Sequence, residues 1–183
     1  MTLLALIPAR SGSKGIHRKN IKDFGGKPLM NWTIESALLS PNIDRVVVST
    51  DDKEIASIAI EAGAEVPFMR PLELSGDKTP GIFPVIHALE QLPEITEVIN
   101  LQPTSPLRTW QDIESIINLF IQSGKKSVVS LSPCPKHPAW MFNLGNESKL
   151  EPLINSELFK CRQDFPETFV LNGAMYLATR EFI

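Results

Sequence analysis

Basic residues crowd one short stretch of this chain. Arg10, Lys14, Arg18, Lys19, Lys22 and Lys27 fall within or just after the segment IPARSGSKGIHRKN (Ile7–Asn20), with Asp23 the one acid among them. Glycine and serine between the cations let backbone N–H groups close on an anion while the flanking charges neutralise it. A nucleoside triphosphate makes those demands. The segment is neither of the common phosphate loops, because it lacks both the G-x-x-x-x-G-K-[ST] and the G-x-G-x-x-G spacing.

Three further segments carry candidate chemistry. LQPTSPLR (Leu101–Arg108) has two prolines that stiffen a turn and hold Gln102 and Ser105 in place. The Gln102 amide donates and accepts at once, as reading a base edge or a sugar hydroxyl requires. VSTDD (Val48–Asp52) precedes a helical pattern starting near Lys53, and Thr50 or Asp51 is expected to cap that helix in preference to acting in catalysis. NGAMY (Asn172–Tyr176) places Gly173 inside a strand pattern, which signals close backbone approach. No histidine has ligand-like spacing, and His87, within an apolar helix pattern, reads as structural.

These segments need elements to position them. Leu3–Ile7, Arg45–Ser49, Val98–Leu101, Ser127–Leu131 and Thr168–Ala178 are apolar, β-rich runs, as expected of strands covered on both faces. Between them, Leu29–Leu39, Lys53–Ala62, Phe83–Leu92 and Trp110–Ser123 carry helical spacing, and Gly63 and Gly124 follow two of them where helix-ending glycines belong. The alternation predicts an α/β fold of three αβα layers, Rossmann-like, with a mostly parallel sheet and right-handed crossovers. Such sheets bind ligands at the carboxyl ends of their strands, where the basic segment and Gln102 both fall.

The 183 residues fit one domain, and a hydrophobic fraction of 43% with 21% charged residues is ordinary for a globular protein. A net charge of −3 with the cations gathered in one loop points to a small anionic ligand and away from nucleic acid. No apolar run approaches the roughly 18 residues of a membrane span, and the N-terminus reads as a first strand, not a signal peptide. Cys134 and Cys161 make no metal or redox spacing and read as free thiols of a cytoplasmic protein.

Taken together, IPARSGSKGIHRKN, VVVSTDD, LQPTSPLR, Arg162–Gln163 and NGAMY resemble, in order and spacing, the acylneuraminate cytidylyltransferases, or CMP-sialic acid synthetases, from Leu3 to Ile183. The resemblance implies the nucleotide-diphospho-sugar transferase fold over 1–183, with an excursion at about 133–167 that meets a partner subunit in a cytoplasmic homodimer. It implies an enzyme that joins CTP to a nine-carbon sugar acid with Mg²⁺, releasing pyrophosphate. Carried over by position, Arg10 and Lys19 hold the triphosphate and Asn20 contacts the nucleotide. Ala9 and Ser11 give backbone contacts near the base, and Arg70 binds nucleotide. Gln102 faces the sugar acid, and Arg162 and Tyr176 line its site. Arg10, Lys19 and Gln102 are the expected catalytic set.

The chain departs from the family pattern at Pro80-Gly81, where small hydroxyl residues are usual, and at Val170, where an arginine is frequent. The family's D-x-D pair for Mg²⁺ does not occur before Ile183, and no other carboxylates here have metal spacing. The expectation is a fragment of a longer enzyme, or a nucleotide-binding remnant impaired in catalysis. CMP-legionaminate, CMP-pseudaminate and Kdo-type synthetases are the neighbouring activities, and the Lys19-Asn20 pair argues against the last.

Overall fold

The computed structural model describes residues 1–13, 15–154 and 165–183. Lys14, Cys161, Arg162 and Gln163 lie outside the described residues. The chain divides into two compact units, one formed by Met1–Ser130 with Gly173–Ile183 and the other by Leu131–Asn172.

The first unit is built around β1 (Leu3–Pro8), whose sequence LLALIP leaves neither face to water. Successive side chains of a strand point to opposite faces, so Leu3, Ala5 and Ile7 enter one apolar cluster and Leu4 and Leu6 another. β2 (Arg45–Ser49) and β3 (Glu97–Leu101) flank it in parallel, with Leu6 opposite both Val47 and Asn100. Three helices cover the first face: α1 (Leu29–Leu38), α2 (Lys53–Glu61) and α4 (Trp110–Ser123), through residues such as Ile34, Ile55 and Ile117. α3 (Phe83–Gln91) covers the second face with Val85, Ala88 and Leu89. These are the three layers expected.

β4 (Ser127–Pro133) and β7 (Phe169–Thr179) complete a five-stranded sheet of order β2-β1-β3-β7-β4. β7 runs antiparallel to β3, pairing Leu101 with Met175 and Asn100 with Tyr176. Its apolar run signals burial but not direction, so the sheet is parallel only through its β2-β1-β3 part.

Helix ends follow local chemistry. Gly63 and Gly124 adopt φ of 94° and 60°, the left-handed conformation that only glycine takes without strain. Thr109 and Asp112 form a reciprocal capping box on α4. The cap of α2 is Asp52, not Thr50 or Asp51: its carboxylate accepts the N–H groups of Glu54 (2.8 Å) and Ile55 (3.0 Å). Asp51 points elsewhere, because consecutive side chains leaving an extended segment diverge. Asp52→Ala is expected to lower stability by about 1 kcal/mol in urea melts, with Asp52→Asn retaining most of it.

In the second unit, β5 (Phe142–Leu144) and β6 (Leu150–Pro152) form an antiparallel hairpin. Cys134 N–H donates to the Thr168 carbonyl (2.8 Å), and the rings of His137 and Trp140 contact Phe165. Phe142, Leu144, Leu150, Leu153 and Ile154 are exposed. No helix among the described residues is long and apolar enough to cross a membrane.

Candidate functional site

The basic loop leaves β1 at its carboxyl end and is tied down before it can reach a ligand. Ala9 N–H donates to the Ser49 carbonyl at the end of β2 (2.9 Å). Ser11 gives its N–H and its hydroxyl to the two oxygens of Asp51, at 3.0 and 2.5 Å. The buried Asn20 donates its side-chain amide to the Arg10 carbonyl (2.9 Å), from a single 3₁₀ turn at Lys19–Ile21. With these bonds made the N–H groups of Ala9 and Ser11 are taken, Ala9 is wholly buried, and neither residue lines the cleft in front of them.

Three cations converge in front of this scaffold. Arg10, Lys19 and Arg70 line a cleft of about 240 Å³, together with Asn20, Asp77, Thr79, Gln102 and Thr104. Arg10 pairs with Asp77 at 2.8 Å. Arg70 is almost wholly buried; its Nε donates to Ser75 Oγ (3.0 Å) and Asp51 lies 3.7 Å from its Nη2. Burial holds the Arg70 guanidinium below its ordinary value, Asp51 pushes it back up, and the charge of Arg10 lowers it again. Burial would raise the Asp51 carboxyl, but the Ser11 hydroxyl and N–H and the charge of Arg70 outweigh it, leaving Asp51 below the usual carboxylate range. Two guanidiniums that repel each other across one cleft give an entering anion a favourable field.

Two other cations of the segment turn away. Arg18, at a left-handed φ of 49°, pairs with Asp52 and Glu54. Lys27 pairs with Glu35 and lies 3.7 Å over the Trp32 ring.

Gln102 forms the far wall. It also lines an apolar chamber of about 400 Å³ that includes Tyr176, Val98, Val129 and Phe182. Its loop is held by Arg108, a buried guanidinium whose Nη1 donates to the Ala174 carbonyl (2.8 Å) and the Gln102 carbonyl (3.4 Å). Burial pushes Arg108 down to about 10, partly offset by Asp112. Ser105 donates its N–H to the Gln102 carbonyl (3.3 Å) within the turn and lines neither cleft nor chamber. Gly173 sits beside Gln102 with φ of 75°; a Cβ there would meet Oε1 at 3.5 Å, an ordinary contact, so the dihedral angle and not lack of room demands glycine.

The described residues thus bring together Arg10, Lys19, Asn20, Arg70 and Gln102 in one cleft and Tyr176 in the adjoining chamber, with Ala9 and Ser11 beneath. Asp77, Thr79, Thr104, Arg108 and Asn100 escape sequence reasoning. Only LQPTSPLR held a signal, since a charged residue closing a proline-rich turn invites a search for its partners. Among the described residues no three acidic, histidine or cysteine side chains converge on a point. Asp51 and Asp77 are both engaged with arginine, so these residues do not by themselves fit a Mg²⁺ cage.

The family model for cytidylyltransferases matches residues 4–143. The chain belongs to the cytidylyltransferase family. Members of this family are nucleotidyltransferase enzymes, as the motifs implied. Among its cytidylyltransferase relatives, the CMP-N,N'-diacetyllegionaminic acid synthase of Legionella pneumophila is 38% identical over 100% of this chain and 80% of its own length. The pseudaminic acid cytidylyltransferase of Campylobacter jejuni is 35% identical over 98% of the chain and 79% of its own length. Among solved structures, that of a CMP:2-keto-3-deoxy-manno-octonic acid synthetase complexed with CTP superposes with a TM-score of 0.76 at 18% identity. It covers 99% of this chain and 75% of its own, a likeness of fold.

Proposed function

We propose that this cytidylyltransferase activates a nonulosonic, sialic-type acid with CTP, giving the CMP-sugar and pyrophosphate. The observation that carries the reading is the convergence of Arg10, Lys19 and Arg70 on a cleft that continues, past Gln102, into a chamber bearing Tyr176. The first part suits a triphosphate and the second a sugar. Arg10, Lys19, Asn20 and Arg70 take the nucleotide, with Ala9 and Ser11 holding the loop beneath them. Gln102, Tyr176, Arg162 and the Ser105 turn serve the acid.

In the reaction, the anomeric hydroxyl oxygen of the acid bonds to the α-phosphorus of CTP and its proton passes to water. The bond from that phosphorus to the bridging oxygen breaks, and pyrophosphate departs. Negative charge grows on the phosphoryl oxygens and the leaving group, where fixed cations act by position and field. Mg²⁺, which the family resemblance implies, would add charge neutralisation on the phosphates. Asp51 and Asp77, the acids beside the arginines of the cleft, are engaged with those arginines.

Similarity to enzymes named for legionaminic and pseudaminic acids supports an acid of that class. The exposed apolar side chains of the β5–β6 hairpin support a homodimer joined through residues 133–167, and we place the protein in the cytoplasm. The test supplies the protein with Mg²⁺, CTP and a panel of legionaminic, pseudaminic, N-acetylneuraminic and Kdo acids, and measures pyrophosphate. Release with one of the first three is expected. No release with any acid sinks the reading, and CTP binding by calorimetry in that case marks a binding-only remnant.

A further inference from the structure

Two like charges in one cleft draw apart unless something holds them together. Burial lowers the Arg70 guanidinium and the charge of Arg10 lowers it further, so the two lie within each other's field. Each has its own carboxylate, Asp77 for Arg10 and Asp51 for Arg70. Ser75 accepts from both. Arg70 Nε donates to the Ser75 hydroxyl oxygen at 3.0 Å, and Arg10 Nη1 donates to the Ser75 carbonyl at 3.4 Å. The hydroxyl donates in turn to the Pro71 carbonyl (3.2 Å), which spends its proton and leaves a lone pair for Arg70. The serine is itself held in place. Its N–H closes a 3₁₀ turn at Leu72–Leu74 by donating to the Leu72 carbonyl (2.9 Å). The Arg70 N–H donates to the Thr50 carbonyl, just past the end of β2 (2.7 Å). Ser75 does not line the cleft, so its hydroxyl serves an arginine and not a ligand.

We infer that Ser75 is a positioning residue for the nucleotide, its hydroxyl keeping the Arg70 charge beside Arg10 at the wall of the cleft. This rests on the reading of that cleft as the CTP site. Arg70 is almost wholly buried, so it acts on a triphosphate through its field more than by touch. A charge set in a wall poor in water is little screened, and its effect depends on where it is kept. The hydroxyl fixes that place before any ligand arrives. The repulsion between the two arginines is then already present in the empty cleft, and an entering anion relieves it without reorganising the site. Alanine at this position leaves Nε without its acceptor, and the repulsion moves the guanidinium away from Arg10. The Ser75 carbonyl survives the change, so Arg10 keeps its own bond.

The experiment compares wild type with Ser75→Ala, Ser75→Val and Ser75→Thr in the full chain. Calorimetry with Mg²⁺ gives the Kd for CTP, and pyrophosphate release with the acid varied gives its KM. Expected for Ser75→Ala and Ser75→Val is a Kd for CTP raised about tenfold, the size of one lost hydrogen bond, with the acid KM within about twofold. Threonine differs from valine by a hydroxyl in place of a methyl group, and it should restore the CTP affinity to within about twofold of wild type. A role confined to folding the loop lowers the melting temperature but leaves the CTP affinity of the folded variant unchanged, and that result overturns the inference. So does a loss that threonine fails to restore, or one that falls equally on CTP and acid. Loss of the fold in both the alanine and valine variants assigns Ser75 to the loop's stability and overturns it as well. A wild type that binds CTP but consumes no acid overturns the parent reading alone, since the binding comparison still stands. A wild type that binds no CTP overturns both, and an active wild type with an unmoved Kd in Ser75→Ala overturns this inference alone.

Discussion

Asp51→Ala is expected to destabilise the protein by about 3–5 kcal/mol, the range for removing one partner of a buried ion pair. Both side chains are nearly inaccessible, at 2% for Arg70 and 4% for Asp51, and the substitution leaves the guanidinium buried with no opposing charge beside it. It also frees the N–H and hydroxyl of Ser11, which Asp51 alone receives. For a chain of this length, that loss lowers the melting temperature by roughly 10 °C. Asp51→Asn keeps the shape and an acceptor for Ser11 but not the charge, so it should fall between. The sign with pH follows from a carboxyl whose folded value lies below its ordinary 3.8. Its contribution is complete above that ordinary value and is lost as pH falls through the lower folded value. Chemical denaturation between neutral and acid pH should show a shallower loss in Asp51→Asn than in wild type. A destabilisation of Asp51→Ala under about 1 kcal/mol would show that solvent, not Asp51, compensates Arg70.

Lys19→Met is expected to reduce kcat/KM for CTP by about 10²–10³-fold, as removal of one preorganised group facing transition-state charge does. Lys19 is the cleaner probe of the cleft because, among the described residues, its ammonium has no ion-pair partner, whereas Arg10 has Asp77 and Arg70 has Asp51. Methionine preserves the aliphatic stem, so the melting temperature should stay within a degree or two. Most of the loss should fall on kcat if Lys19 meets the leaving pyrophosphate, since charge there grows along the reaction. An equal kcat with only a weaker KM would assign it to ground-state binding. Undiminished turnover would remove Lys19 from the site.

Much of this was legible without coordinates. Runs such as LLALIP and RVVVS can hardly be placed anywhere but inside a sheet, and helix ends at Gly63 and Gly124 follow from a dihedral angle that other residues avoid. Once the strands were placed, Arg10, Lys19 and Gln102 had to meet at their carboxyl ends. The illegible part concerns partners. A count of six cations does not reveal that Arg18 and Lys27 are neutralised by Asp52, Glu54 and Glu35. Nor does it show that Arg10 finds Asp77 on a distant loop. Of two adjacent aspartates, Asp52 caps a helix and Asp51 secures Ser11, a division decided by which way each side chain leaves the backbone. Asn100 reads as one tolerable polar residue in a strand until its neighbours prove to be Leu6 and Tyr176.

The antiparallel insertion of β7 has a consequence for how the molecule comes together. β1, β2 and β3 with their helices close through comparatively short crossovers, and the basic loop is complete once they have done so. β4 joins the sheet only through β7, a strand that follows the whole of the second unit. Bringing Ala174 to Arg108 closes the whole second unit into one loop, so the wall formed by Gln102, Gly173 and Tyr176 bears the closure entropy of that unit, which the basic loop does not.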